Sequence, residues 1–137
     1  MSNDQSINFS SRPNDIGTDT LFVERWSPRA FEKTEIDRDT ITRIIDAARW
    51  SPSCFNEQPW HIYTSGPESF ADYLSLLVDA NQDWAKDAGI LGFVVADKNF
   101  ARNGKENNLA RFDCGAAWMA LSLQTRMEGL YLSLIHI

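Results

Sequence analysis

The sequence predicts one domain of mixed helix and strand, with a sheet covered by helices. Three observations carry that reading. Helical and strand-like segments alternate along the chain. The run Ile90-Leu91-Gly92-Phe93-Val94-Val95-Ala96 is continuously apolar, as expected of a strand buried on both faces at the centre of a sheet. A helical pattern from about Asn107 to Glu128 carries Ala110, Cys114, Ala117 and Leu121 on one face and Phe112, Trp118, Met119 and Leu123 on another. A helix apolar on several faces belongs at the centre of a domain or a dimer.

The remaining elements are taken in chain order. Met1 to Asn14 is polar, with neither an apolar run nor a basic leader, and reads as a frayed tail without signal peptide or anchor. From Thr18, Leu21, Phe22 and Arg25 lie on neighbouring helical faces. Ser27-Pro28 ends that helix near Trp26, because a residue before proline avoids the helical region. Asp37 can cap a second helix in which Ile41, Ile44, Ile45 and Ala48 repeat at helical spacing, and Ser51-Pro52 stops it. Trp60 to Thr64 is rich in strand formers. Pro67 then suits the first turn of a helix with a Phe70, Tyr73, Leu74, Leu77 stripe. Asn103-Gly104 marks a turn before the long helix, and Gly129 a stop after it.

Composition narrows the function classes. A length of 137 residues suffices for a single core, so no second domain is sought. The net charge of -6 argues against nucleic acid, whose counterions are displaced only by a concentrated basic patch. No apolar stretch approaches the roughly 20 residues that span a bilayer. The expectation is a soluble cytoplasmic protein with no membrane or nucleic-acid partner. Cys54 and Cys114 lack CxxC spacing and, with only His61 and His136 available, form no zinc pattern, so both are read as reduced thiols.

Two segments could carry chemistry. In Arg25-Trp26-Ser27-Pro28-Arg29-Ala30-Phe31 two arginines bracket a serine in a turn leaving a helix, an arrangement suited to a phosphate, since the guanidinium fork donates two hydrogen bonds to paired oxygens. Arginines in surface turns are also commonly just solvated. Ser51-Pro52-Ser53-Cys54-Phe55-Asn56-Glu57-Gln58-Pro59-Trp60 is a rigid turn whose donors and acceptors could meet the edge of a flat heterocycle. Its polar residues could equally satisfy their own backbone. Cys54 with His61 as base is a poor nucleophile candidate, because nothing marks a third group to orient the histidine. His61 is read as ordinary strand packing, Cys114 as a small core residue, and Trp50, Trp60, Trp84 and Trp118 as core or dimer interface.

In order and spacing, Arg-x-Ser-x-Arg-x-Phe, a helix, Pro-Ser-x-x-Asn-x-Gln-Pro-Trp and a strand resemble the nitroreductase family over about residues 18–131. The resemblance implies an α+β fold, a three-layer α/β/α sandwich with a central mixed sheet, here truncated after the long helix. It also implies an obligate homodimer with flavin mononucleotide (FMN) at the interface. Carried onto this chain, Arg25, Ser27 and Arg29, with Trp26 among them, contact the phosphate and ribityl chain. Arg29 is also the candidate to reach the pyrimidine edge. Pro52, Ser53, Cys54 and Asn56 meet the ring from the other protomer, and Asn81 falls where the family places an asparagine beside the pyrimidine. Some members carry a lysine three residues after that asparagine, where this chain has Trp84. This departure leaves Arg29 as the candidate to stabilise the charge of the reduced flavin.

The implied reaction is hydride transfer from NAD(P)H through FMN to a nitroaromatic, quinone or similar conjugated acceptor, with no catalytic acid, base or metal required of the protein. The alternatives are a flavin-binding or dimerisation module without turnover, an inactive fragment, and a specialised dehalogenase or flavin-cleaving member of the fold. The resemblance ends after Tyr131. Residues 132–137 do not match the continuation expected in the family and read as a non-native tail beside the 18–131 domain and the 1–17 tail. On this reading the polypeptide as it stands exposes apolar faces and holds flavin poorly.

Overall fold

A computed structural model describes residues 7–135. Helix α1 spans Thr20–Glu24, α2 Arg38–Ala47, β1 Trp60–Thr64, α3 Phe70–Ser75, α4 Asp79–Ala85, β2 Gly92–Ala96 and α5 Ala110–Met127. Helix α4 has no counterpart in the sequence reading. Its N-cap is Val78, which offers no side-chain acceptor, and within seven residues only Trp84 is large and apolar. The helix carrying the Phe70 to Leu77 stripe begins at Phe70 rather than near Pro67, and Leu77 lies beyond it.

Helix ends obey their local chemistry. The Asp37 carboxylate accepts from the Thr40 amide at 2.9 Å, satisfying one of the free donors of the first turn of α2. At the far end of α5, Gly129 takes φ +78, which a residue with no Cβ reaches without penalty. The Leu130 amide returns to the Thr125 carbonyl and the Gly129 amide to that of Arg126, closing a Schellman motif.

Strands β1 and β2 pair antiparallel with Ile62 opposite Val94 and His61 opposite Val95. Ser65 with Leu91 and Asp97 with Pro59 extend the ladder by a backbone bond at each end. Trp60, Ile62 and Val94 face inward onto a core of Ala48, Ala117 and Leu121, where Ile44, Trp118 and Leu132 also pack. Leu132 thus joins the core although it belongs to the 132–137 segment, and His136 lies outside the described residues. On the opposite face Tyr73 of α3 packs on Phe93 with ring centroids 5.3 Å apart. Helices therefore lie on both sides of the strand pair, an α+β arrangement as expected.

Strand β2 is not buried on both faces. Val95 is 47% exposed and its neighbours His61 and Tyr63 on β1 are exposed as well. The cause is coverage: α5, backed by α2, occupies one face, whereas α3 reaches only the Phe93 end of the other. His61 correspondingly points outward, its Nε2 2.7 Å from Asp97 Oδ2, and not into packing. Trp50 is 79% exposed and so is not a core residue in the single chain.

Candidate functional site

The two motifs are anchored to the same helix at different ends. Beyond α1, Arg25 takes an extended backbone and Pro28 is buried, while Ser27 and Arg29 stay exposed. This segment is fixed to the C-terminal end of α5. Glu24 accepts from Arg126 Nε and Nη2 at 3.2 and 2.8 Å, and the Trp26 ring meets Tyr131 edge-on at 6.4 Å. Arg12 lies over the Trp26 ring, 5.6 Å from its centre, and donates to the Val23 carbonyl at 2.8 Å. Among the described residues neither Arg25 nor Arg29 forms an ion pair. The buried indole Nε1 of Trp26 has no hydrogen-bond partner there either. Two unpaired guanidinium groups, an exposed hydroxyl and an orphaned N–H form a donor set with no acceptor of its own, which suits a phosphate ester.

Asn81 lies in α4, half-buried. Its helix is joined to the arginine segment by Phe31, which stacks on Trp84 with centroids 6.0 Å apart. The turn after α4 closes on the same segment: a Cβ on Gly89 would meet the Thr34 carbonyl at 2.5 Å and the Ile36 side chain at 3.2 Å, so only glycine fits. Trp84 thus serves here to dock α4.

Pro52, Ser53, Cys54 and Asn56 sit at the other end of α5. Ser51 Oγ donates to the Ala116 carbonyl at 3.2 Å, and the Cys54 amide donates to Asp113 Oδ2 at 3.0 Å. Phe55, Asn56 and Gln58 have φ of 55, 56 and 49, a mostly left-handed course broken only by Glu57 at φ -66, with no glycine to ease it. Such backbone persists only where surrounding contacts over-determine it, and it clusters at functional turns. Ser53 Oγ accepts from the Gln58 amide at 3.0 Å, the Glu57 carboxylate accepts from the Ala101 amide, and Arg102 lies 4.1 Å above the exposed Phe55 ring. Sequence reasoning missed Asp113, Glu57 and Arg102. An acid in the first turn of a helix looks like ordinary dipole compensation, and the pair at 101–102 is brought in only by the turn at Asn103-Gly104.

At roughly 1.5 Å of rise per residue, Asp113 and Arg126 stand about 20 Å apart along α5. Strand β2, antiparallel to β1, has its Ala96 end beside Pro59 and its Gly92 end just after the α4 turn. One copy therefore gathers Arg25, Trp26, Ser27, Arg29 and the helix of Asn81 at one end and holds Pro52, Ser53, Cys54 and Asn56 at the other. Two open hollows of about 560 and 390 Å³ lie along α2, lined by residues such as Arg43, Asp46, Trp50 and His61, and none of those nine residues lines them.

Local charge is modest. Cys54 and Cys114 are unbridged, and burial, then the nearby Asp113 and Asp97 charges, push the Cys114 thiol above its ordinary range, which leaves it a poor nucleophile. No described helix is long and apolar enough to cross a membrane.

The profile of the nitroreductase family matches residues 22–78, which include both motifs. A solved oxidoreductase containing FMN superimposes with a TM-score of 0.80 over 86% of this chain at 36% identity, covering 62% of that protein. The chain is similar to the nitroreductase family over both motifs. Curated nitroreductase relatives agree: a 4-nitrobenzoate reductase of Pseudomonas putida is 39% identical over 69 residues, 50% of this chain and 30% of that protein. An NADH dehydrogenase/NAD(P)H nitroreductase of Streptomyces coelicolor is 28% identical over 58% of this chain and 40% of its own length. The chain thus spans less than half of the curated nitroreductases it matches. Further nitroreductase structures share the fold at TM-scores near 0.65.

Proposed function

We propose that the whole protein carrying this chain is an FMN-dependent oxidoreductase that passes hydride from NAD(P)H to nitroaromatic, quinone or similar conjugated acceptors. The observation that carries the reading is the division of the two family motifs between the two ends of α5. Each copy then offers half of a flavin site twice over, and a homodimer with FMN at its interface completes both. Names of relatives support the chemistry: one is a 4-nitrobenzoate reductase, one an NAD(P)H nitroreductase and one an oxidoreductase containing FMN.

In this arrangement Arg25, Ser27 and Arg29 hold the phosphate and ribityl chain, with Trp26 Nε1 as an additional donor. Asn81 stands at the pyrimidine edge, and Arg29 balances negative charge there. Pro52, Ser53, Cys54 and Asn56 of the second copy bound the ring and leave a slot for reductant and acceptor in turn. FMN, when bound, supplies the hydride chemistry, so the side chains only bind, orient and exclude water.

A dimer also accounts for α5. Opposite its buried Ala110, Ala117 and Leu121 it carries Phe112, Gly115, Met119, Leu123 and Met127 at helical spacing, with Phe112 78% and Met127 67% exposed. A two-fold axis near Met119 sets such stripes against each other antiparallel, which brings the arginine end of one copy to the Pro52 end of the other. Flavin titration and steady-state turnover test the reading. The whole protein should bind FMN and oxidise NAD(P)H in the presence of 4-nitrobenzoate or a quinone, and Arg25→Ala or Arg29→Ala should weaken FMN binding about tenfold or more. Binding unaffected by either substitution contradicts the assignment, and bound flavin that NAD(P)H does not reduce indicates a module without turnover.

A further inference from the structure

We propose that Asp113 is the positioning residue of the Pro52–Gln58 turn: through the Cys54 amide its buried carboxylate fixes the left-handed course that presents Ser53, Cys54 and Asn56. The inference rests on the reading of that turn as the flavin contact of the second copy. Asp113 is 3% exposed, lies in the first turn of α5 and accepts from Cys54 N–H at 3.0 Å. Among the described residues it makes no ion pair, so its burial is not explained by a cationic partner.

The position of the bond matters more than its existence. Cys54 is the residue immediately before left-handed Phe55 and Asn56. The bonds from Asn56 N to the Ser53 carbonyl, from Glu57 N to the Cys54 carbonyl and from Gln58 N to Ser53 Oγ lie within the turn and move with it. Four hydrogen bonds reach the rest of the protein: Ser51 to Ala116, before the turn begins, Asp97 to Pro59, after it ends, Ala101 to Glu57, on its outer side, and Cys54 to Asp113. Only the last is a buried charge acting on the residue that enters the left-handed stretch. A carboxylate is an acceptor without a competing donor, its bond to an amide is roughly twice as strong as a neutral one, and the N-terminal end of α5 favours the negative charge. Asp113 thereby couples the turn to α5, the element that carries the exposed apolar stripe.

Amide hydrogen exchange and FMN titration on wild type, Asp113→Ala and Asp113→Asn test this. In D113A, exchange at Cys54 and Gln58 should rise about tenfold or more while the β1–β2 ladder keeps its protection. D113N, whose amide oxygen can accept the same bond, should recover part of that protection, and FMN affinity should fall in the order wild type, D113N, D113A. Unchanged exchange at Cys54 and Gln58 in D113A overturns the proposal. So does loss of protection spread evenly over β1, β2 and α5 without recovery in D113N, which marks a merely structural residue. A local exchange response with FMN affinity equal in all three proteins overturns the link to the flavin. If the wild type binds no FMN at all while the turn still responds locally, the flavin reading fails and the tie of Asp113 to the turn stands.

Discussion

Asn56 is the residue at which backbone and proposed function meet most closely. Its φ of 56 suits asparagine better than most side chains, and its Oδ1 accepts from Gln58 Nε2 at 3.1 Å. At a right-handed position alanine outranks glycine in stability. Here the order should invert, with Asn56→Gly more stable than Asn56→Ala by about 1 kcal/mol in urea unfolding. An alanine variant as stable as the glycine variant would mean that the turn is not held left-handed. Of this turn the sequence revealed the polar residues and their spacing. The left-handed run was hidden, because Phe55 and Gln58 carry no local signal for it and the contacts that impose it come from Asp113 and Ala101, 59 and 44 residues away.

Among the elements, those with strong local chemistry were legible. The Asp37 cap and isoleucine spacing defined α2, strand-forming residues defined β1 over its observed length, and Gly129 marked the end of α5. Helix α4 was not legible because its stability comes from Trp84 on Phe31 and not from its own pattern. The apolar run of β2 encodes what could cover it, while exposure depends on which elements do. Helix α2 is joined to the end of α5 by a bidentate pair, Arg43 Nε and Nη2 to Glu128 at 2.8 and 2.9 Å. Hydrogen bonds from Arg43, then from Gln124, hold the Glu128 carboxyl below its usual range, and the Thr40 amide does the same for Asp37. A carboxylate with a depressed folded value contributes stability that is complete above its unfolded value and is lost as pH falls through the folded one. Stability should therefore decline below about pH 4.3, and Glu128→Gln should flatten that decline in urea midpoints taken from about pH 6 to about pH 3. An unchanged slope would show that the pair is absent in solution.

For the whole molecule, the fold class and the likeness to nitroreductases were legible in the order of the motifs, whereas the separation of those motifs was not. Which residues share an end of α5 depends on Arg126 with Glu24, Tyr131 with Trp26 and Asp113 with Cys54, pairs that sequence spacing does not announce. The outward stripe of α5, exposed at Phe112 and Met127 and half-buried at Met119, centres on Met119, so Met119→Lys should shift the protein to monomer in sedimentation while leaving its helix content intact. A dimer that survives this charge would place the interface elsewhere. The central claim, that each flavin site is built from two copies, is tested most directly by cross-linking Arg29→Cys to native Cys54 in a Cys114→Ser background. A bismaleimide reaching about half the length of α5 should yield a covalent dimer, because within one copy the two positions are held at opposite ends of that helix. A cross-link confined to single chains would contradict the account.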